Sequence, residues 1–146
     1  MAEAAEAAAR MEPKAVVRSL FAPDATPGDL LAADGYLFVC PENLASMAGA
    51  MKEFFDRCYY PCLERLNGRP YAAMICAGSD GTGAARQLAR IATGWRLKAV
   101  AEPLIVNVSA QTPEAILAPK TLSDAQLAPC VDLGATLAAG LAMGVF

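Results

Sequence analysis

The stretch Tyr36–Arg57, YLFVCPENLASMAGAMKEFFDR, predicts the fold of this chain. It begins with an apolar run, breaks at Pro41, passes through a short polar loop and continues as an amphipathic pattern. The apolar face of this helical pattern is predicted at Met47, Met51, Phe54, Phe55 and Cys58. A buried strand, a loop and a helix form the repeating unit of an α/β sheet. Because ligands of such sheets lie beyond the carboxyl ends of the strands, we expect function at the loop Pro41–Ser46.

The composition of the whole chain limits the classes of function. Its 146 residues fit one domain, 1–146, and the 55% apolar content includes no uninterrupted run near the ~20 residues of a membrane span. The net charge of −3 and the lack of a dense Lys/Arg stripe argue against nucleic-acid binding. The chain has no histidine, which excludes Ser-His-Asp and Cys-His nucleophile pairs and every metal site that needs imidazole.

The five cysteines favour buried packing over a metal site, since Cys58 and Cys62, four residues apart, lack further ligands. They are odd in number and mostly lie in apolar surroundings, at positions 40, 58, 62, 76 and 130. The N-terminal segment MAEAAEAAAR carries acidic residues and no apolar core, so it does not resemble a secretion signal. We therefore expect a cytoplasmic protein.

Apolar periodicity and turn residues predict alternating strands and helices in one domain. The expected elements are a helix over 2–11, a strand Ala15–Phe21, a short helix Pro27–Ala32, the strand and helix described above, a strand Tyr71–Ala77, a helix to about Trp95, a strand Pro103–Val108, a loop-like segment Ser109–Leu122 and a main helix from about Pro129 to Met143.

A second candidate loop, Gly78–Gly83, follows the strand Tyr71–Ala77 and contains three glycines in six residues. Its backbone could approach a flat or charged ligand, and the next helix could offer free N–H groups to an anion. The spacing matches neither G-x-G-x-x-G nor the phosphate-binding loop with its lysine. A tight connection is the alternative explanation of the glycines, and the composition slightly favours ligand binding over it.

The first loop is equally ambiguous. Glu42 and Asn43 could form a turn with Ser46 capping the helix, or they could bind the polar edge of a heteroaromatic ring. A phosphoacceptor is disfavoured, because Cys40-Pro41 stands where an aspartate would be needed.

Three segments together carry a resemblance to a known family: DGYLFVCPENLASMAGAMKEFFDR, NGRPYA and AGSDGTG. They resemble the central signature of the flavodoxin-like NAD(P)H-dependent FMN reductases and quinone reductases, over roughly residues 15–108. The resemblance implies a three-layer α/β fold with a flavodoxin-like parallel sheet of order 2-1-3-4-5, and FMN across the carboxyl ends of the strands.

The resemblance also implies which residues border the flavin ring. One side would be formed by Pro41, Glu42, Asn43, Leu44, Ala45 and Ser46, and the other by Ala77, Gly78, Ser79, Asp80, Gly81 and Gly83. The implied activity is FMN-dependent oxidation of NAD(P)H with transfer to a quinone, a flavin or a similar small electron acceptor. The flavin would carry this chemistry, so no catalytic side chain is expected.

The chain departs from the family at its N-terminus, where Met1 falls inside the expected first helix. The family's first strand and its phosphate-binding loop are missing, so we expect an N-terminally truncated domain, through either a late start assignment or natural shortening. FMN binding should then be weak or absent. One sheet edge should be exposed, its neighbouring strands should pair directly, or another chain should supply the contact.

Three functions remain as alternatives. The first is the NAD(P)H oxidoreductase, and the second is a non-catalytic interaction module that has lost its cofactor and forms a homodimer or higher homo-oligomer. A flavodoxin-type electron carrier ranks last, because such carriers are usually much more acidic than −3.

Overall fold

The computed structural model describes residues 1–146 and shows a sheet with helices on both faces. In chain order the elements are α1 (Ala2–Ala9), α2 (Pro27–Ala32), β1 (Tyr36–Asn43), β2 (Ser46–Met47), α3 (Gly49–Cys62), β3 (Pro70–Ala77), α4 (Thr82–Gly94), β4 (Lys98–Ala99), β5 (Leu104–Asn107), α5 (Pro113–Leu117) and α6 (Asp124–Met143).

The centre of the sheet is β3, a continuous apolar strand in which every residue except Cys76 is buried. On one side β1 runs parallel to it, from Tyr36 beside Tyr71 to Pro41 beside Cys76. On the other side, β4 pairs with the start of β3 and β5 with its end, both in parallel. This helix-covered parallel sheet confirms the predicted flavodoxin-like α/β class, and it brings the loops after β1, β3 and β5 to one edge.

One face of the sheet is covered by α3 and α4, which form the larger core with it. The ring of Phe38 packs against Phe55 at 5.2 Å between centroids, and Phe55 packs against Trp95 at 5.5 Å. The indole N–H of Trp95 donates to the carbonyl of Tyr59 at 3.0 Å, so the buried ring leaves no polar group unpaired. Each such ring contributes about 1.5–3 kcal/mol of transfer free energy.

The other face is covered by α6, with α1 packed against it. A Cβ at Gly134 would overlap the backbone of Ala5, so the two helices approach closely at this point. By length and composition alone, α6 could cross a membrane. Cys130 packs against the sheet and Gly134 against α1, and 28% of this apolar stretch is buried.

The predicted strand Ala15–Phe21 is wrong, since these residues form no strand. A strand needs a neighbour for its backbone groups, and the outer edge of β1 from Tyr36 to Pro41 pairs with none. The side chains of Val16 and Phe21 are 94% and 81% exposed. The edge of β1 is therefore open, one of the outcomes that the sequence predicted.

The helix α2 begins and ends where the sequence predicts, and Arg69 holds its C-terminal end. Thr26 caps the N-terminus, where its hydroxyl accepts from the N–H of Asp29. The guanidinium of Arg69 donates to the carbonyls of Leu30 and Ala33 and lies 3.0 Å from the hydroxyl of Tyr36. A cation at a helix C-terminus satisfies carbonyls that have no partner within the helix.

Several boundaries differ from the sequence predictions. The strand β1 continues through Pro41 into a hairpin with β2, so Met47 is buried on β2 and not on the helix. The helix α5 lies in the segment predicted as loop-like, and the strand β4 lies between two predicted elements, where no element was predicted. The helix α6 begins at Asp124, after the N-cap Ser123 and its capping box, and not at Pro129. Pro129 stands in the second turn and costs the helix only one backbone hydrogen bond.

Candidate functional site

The candidate site lies at the carboxyl edge of the sheet, where the two predicted loops are joined by a third. The structure brings together 41–46 after β1, 78–83 after β3 and 108–112 after β5. Hydrogen bonds between the loops hold them as one surface. The sequence predicted the first two loops and gave the third no role.

The first loop is a two-residue hairpin. Asn43 pairs with Ser46, and the intervening residues Leu44 and Ala45 have φ values of 52° and 60°. Positive φ at both loop positions is the geometry of a type I′ turn, which favours asparagine and glycine. Each of these two side chains costs about 1 kcal/mol in this conformation. Leu44 is fully exposed at the tip, so the strain presents an apolar side chain at the sheet edge.

Glu42 connects the first loop to the second. Its carboxylate accepts from the backbone N–H of Gly81 at 2.8 Å and of Ala84 at 2.9 Å. Gly81 is the N-cap of α4 and has no side chain of its own to cap the helix. The expectation that α4 offers free N–H groups to an anion is therefore wrong at these two groups, because the protein's own carboxylate already binds them.

A second contact fixes the hairpin to α4 through Gln87. The hydroxyl of Ser46 and the N–H of Met47 both donate to its side-chain oxygen, at 2.8 Å and 3.0 Å. Ser46 therefore does not cap α3, whose N-cap is Ala48. No signal in the sequence indicates Gln87, since it lies on a helix among other polar residues.

The glycines of the second loop serve contacts within the protein. Gly81 has φ +94°, and a Cβ there would overlap the side chain of Ile105. A Cβ at Gly83 would overlap the carbonyl of Ala45, and one at Gly78 would lie 3.4 Å from the carbonyl of Ala110. The tight-connection interpretation therefore accounts for Gly81 and Gly83, whereas a Cβ at Gly78 would make only an ordinary contact. A Gly81→Val change would disrupt the loop itself and cannot isolate ligand binding.

The third loop is attached to the second through Asn107. Its side-chain amide donates to the carbonyl of Ser79 and accepts from the N–H of Ser109 at 2.7 Å. The N–H of Ala110 donates to the carbonyl of Gly78 at 2.8 Å. These bonds fix the backbone of Gly78 and Ser79, which the sequence predicts beside the ring.

The predicted site residues divide into exposed and covered groups. A ligand could touch the exposed ones, which are Pro41, Asn43, Leu44, Ala45, Ser79 and Asp80. Ala77 and Gly81 are buried, and Glu42, Ser46, Gly78 and Gly83 are half-buried. The covered residues can shape the surface, whereas a ligand would directly contact the hairpin tip and the start of the second loop.

The charges of the three loops have one sign. Residues 41–48, 78–83 and 107–112 contain no lysine or arginine, whereas Glu42 and Asp80 carry carboxylates. Asp80 accepts from the hydroxyl of Thr82 at 2.6 Å. The surface therefore suits an uncharged, flat molecule and offers no counter-charge to a phosphate.

Cys40 is the thiol nearest to the loops, and it is buried. Burial raises the pKa of this thiol, so it stays protonated at neutral pH and is a poor nucleophile. All five cysteines are free, and the His/Cys/Asp/Glu side chains form no group that could hold a metal. The site has an exposed apolar side chain and backbone groups that a flavin ring could contact.

Two open grooves flank this edge. One of about 180 Å³ lies beside the open edge of β1, between Phe21 and the start of α3 at Ala48. The other, of about 380 Å³, lies between α4 and β5 and includes Arg86 and Glu102. Pockets for drug-sized ligands usually measure about 300–1,000 Å³, so the smaller groove alone could not enclose a whole FMN.

A parallel sheet with helices on both faces and a ligand edge of three joined loops defines an α/β protein of the flavodoxin-like class. Residues 26–112, more than half of the chain, match the family described as NADPH-dependent FMN reductase. The chain therefore belongs to the NADPH-dependent FMN reductase family, which confirms the resemblance in the sequence.

Individual relatives agree with this assignment. The chain is 39% identical over 71 residues to the probable NAD(P)H dehydrogenase (quinone) FQR1-like 2 of Arabidopsis thaliana. This match covers 48% of the chain and only 26% of that relative's length.

Two solved structures show the same fold. A flavodoxin from the domain Archaea has a TM-score of 0.73 at 16% identity, covering 95% of this chain and 86% of that one. A WrbA-like flavodoxin from Agrobacterium tumefaciens has a TM-score of 0.72 at 17% identity, covering 97% and 87%. At these identities the two structures establish the fold alone.

Proposed function

We propose that this chain is an NAD(P)H-dependent flavin oxidoreductase of the quinone or flavin reductase type. The observation that carries the proposal is the family match over residues 26–112, which includes all three loops of the candidate site. The quinone dehydrogenase named among the relatives supports a small-molecule electron acceptor. The absence of histidine from the sequence agrees with a reaction carried by a cofactor.

When bound, a flavin would supply two-electron transfer from NAD(P)H to the acceptor. The residues of this chain would bind and orient its ring. Leu44 supplies an apolar surface on one side, and the backbone at Ser79 and Asp80 supplies polar groups on the other. Glu42 and Asn107 keep these parts in place, so the ring would enter a preformed site and bind without a large ordering cost.

FMN is proposed to bind weakly. Phosphate contacts anchor a nucleotide best where cations or free helix N–H groups converge, and the three loops offer no cation. We expect the protein to purify without stoichiometric FMN, so that activity depends on added flavin. Isolation of a yellow protein with one FMN per chain would contradict this expectation.

A titration with FMN, followed by its fluorescence, tests the function. The same samples should then oxidise NADH or NADPH in the presence of a quinone. Leu44→Asp should weaken flavin binding about tenfold or more, because it replaces the exposed apolar surface with a charge. Val145→Asp is the matched control, since Val145 is also exposed but lies beyond α6. Equal binding by both variants would remove the hairpin from the site.

The open edge of β1 favours a second candidate function, an interaction module that works as a homodimer or higher homo-oligomer. The edge carries unpaired backbone groups beside the exposed Val16 and Phe21, and such edges pair readily with another strand. Light scattering after size-exclusion chromatography should then show the mass of a dimer for this chain and the mass of a monomer for the Val39→Lys variant. A monomer at all concentrations, with flavin-dependent activity, would leave only the oxidoreductase.

The cytoplasmic location and the lack of nucleic-acid and membrane partners stay predictions from the sequence.

A further inference from the structure

We propose that the groove beside β1 binds one extended strand of another polypeptide, apolar on both faces. This strand would pair with β1 on one side and with residues 16–20 on the other. Binding of this strand is independent of the proposed oxidoreductase activity, and it gives the open edge of β1 a partner other than a second copy of the chain.

The unpaired backbone groups of β1 point into the groove. The carbonyl of Pro41 accepts from the N–H of Ala48 at 3.1 Å, on the side of β1 that faces away from β3. Residues two apart in a strand turn their backbone groups to the same side, so those of Leu37 and Val39 also point outward. No strand pairs with these two residues on that side. The strand β1 therefore offers two donors and two acceptors to a further strand.

The segment that leads to the opposite side of the groove has free backbone groups as well. No backbone N–H or carbonyl of residues 16–20 makes a hydrogen bond within the chain. The segment is nevertheless held in place, since Arg18 pairs with Asp29 at 2.8 Å. Just beyond it, Arg57 donates to the carbonyl of Ala22 at 3.1 Å. Five residues of a strand span about 17 Å, so a strand of about that length could pair with this segment and with β1 together.

The lining of the groove defines the side chains of the occupant. The lining is mostly apolar and includes Phe21, Val39 and Met51, but no charged residue. Val39 packs with the core beneath α6 and Met51 with the core beneath α3, so both faces of the sheet meet at the groove. A strand covered on both faces is a continuous apolar run, as β3 is. The occupant should therefore carry uncharged, apolar side chains at consecutive positions.

A second copy of the chain fits this groove less well. Its longer strands are already covered by helices on both faces, so it could approach β1 only through the edge of its own sheet. Such an edge-to-edge contact would leave residues 16–20 of both copies without partners. A separate extended segment can enter between β1 and residues 16–20 and close the open edge, as peptides do when they add a strand to a sheet.

A titration of the whole chain with a labelled synthetic peptide tests the proposal. The peptide has the core Val-Ala-Val-Ile-Val and two lysines at each end for solubility, and fluorescence anisotropy should show one peptide bound per chain. At about 100 times the dissociation constant the peptide should raise Tm by about 5–10 °C, because it binds only the folded state. Absence of binding would overturn the proposal.

A second peptide distinguishes the groove from an ordinary sheet edge. Its core, Val-Lys-Val-Lys-Val, is apolar on one face only, and it should bind about tenfold more weakly or worse because the groove would bury its charges. Equal binding of the two peptides would mean addition to a solvent-exposed edge and would refute the proposal.

Amide hydrogen exchange of the peptide complex locates the bound strand. The amides of Leu37 and Val39, and alternate amides within residues 16–20, should exchange about tenfold more slowly or less. The strand β5 also lies at a sheet edge and is the matched control, so its exchange should not change. Protection of β1 alone would contradict pairing with residues 16–20.

Proline variants test each side of the groove. Val39→Pro removes an outward N–H and spares the pairing of β1 with β3, so peptide binding should weaken about tenfold. Neighbouring residues of a strand direct their N–H groups to opposite sides, so only one of Ser19→Pro and Leu20→Pro should weaken binding. Neither of these two changes removes a hydrogen bond of the free chain, and Tm should stay within about 2 °C. Equal effects of the two would contradict strand pairing by this segment.

Light scattering of the same samples decides between the two occupants. With the first peptide bound, the chain should have the mass of a monomer, because one strand closes the open edge. A dimer that excludes the peptide would assign the groove to a second copy and refute the proposal. None of these measurements uses flavin or NAD(P)H, so they remain decisive if the proposed function is wrong.

Discussion

The hairpin of the first loop predicts that stability and flavin binding can be changed in opposite directions. Leu44 and Ala45 both have positive φ in a two-residue turn, where asparagine followed by glycine is preferred. We expect the double change Leu44→Asn and Ala45→Gly to stabilise the protein, because each original side chain costs about 1 kcal/mol there. The same change removes the exposed apolar side chain that we place against the flavin ring.

The magnitude follows from two opposing contributions. Relief of strain at two positions gives about 2 kcal/mol, and the added glycine gives back roughly 0.5–1 kcal/mol through the entropy of the unfolded chain. The net gain of about 1–1.5 kcal/mol should raise Tm by about 3–6 °C in a chain of this size. Thermal and urea unfolding measure this gain, and the slope in urea should stay constant.

A matched control separates the two effects. Glu64 has φ +63° in the connection after α3, far from the carboxyl edge, and its exposed pair with Arg96 spans 4.0 Å. Glu64→Gly should therefore raise stability by a smaller amount and leave flavin affinity unchanged, whereas the hairpin variant should bind flavin less tightly. A hairpin variant with lower Tm, or with full flavin affinity, would refute the reasoning about this loop.

Three further predictions concern stability. Arg69→Met should lower the free energy of unfolding in urea by about 2–3 kcal/mol, because carbonyls at the end of α2 lose a charged donor. Arg65→Met is the control and should lower it little, because Arg65 makes one long bond at 3.5 Å. Gly134→Val should lower the free energy of unfolding by about 2 kcal/mol, because the valine side chain would push α1 away. Residues 2–11 should then become open to proteolysis, and an uncleaved N-terminus would contradict that packing. The free energy of unfolding should fall as pH rises above about 8.5, because the folded state keeps thiol protons that the unfolded chain releases. A free energy of unfolding that stays constant to about pH 10 would contradict this prediction. The thiols whose pKa burial raises are those of Cys40, Cys58, Cys62 and Cys130.

Local signals in the sequence were sufficient to predict the features that contacts between nearby residues define. Thr26 with Asp29, and Ser123 with Gln126, form the capping boxes of α2 and α6 through bonds that span three residues. The apolar run of β3 needed no partner information, because burial on both faces shows directly in its composition. Pro129 misled the boundary of α6, because a proline inside a helix usually kinks or ends it, whereas α6 continues through this position.

Elements that depend on distant partners could not be predicted in this way. Ala15–Phe21 has the composition of a strand and is not one, because strand formation requires a neighbour that the sequence pattern cannot supply. The hairpin at Asn43 and Ser46 was equally hidden, since Leu44-Ala45 lacks the residues that normally signal such a turn. The backbone strain at Leu44 and Ala45 could not be predicted either, because it is visible only when their φ values are known.

The candidate site shows why correct residues can be assigned incorrect roles. Glycines at Gly78, Gly81 and Gly83 suggested a backbone open to a ligand, yet the space at Gly81 and Gly83 is taken by other parts of the chain. Glu42 suggested a ligand contact and instead binds α4, from a position 39 residues before Gly81. Both features serve the same end, because loops packed this closely lose little entropy when a ring binds.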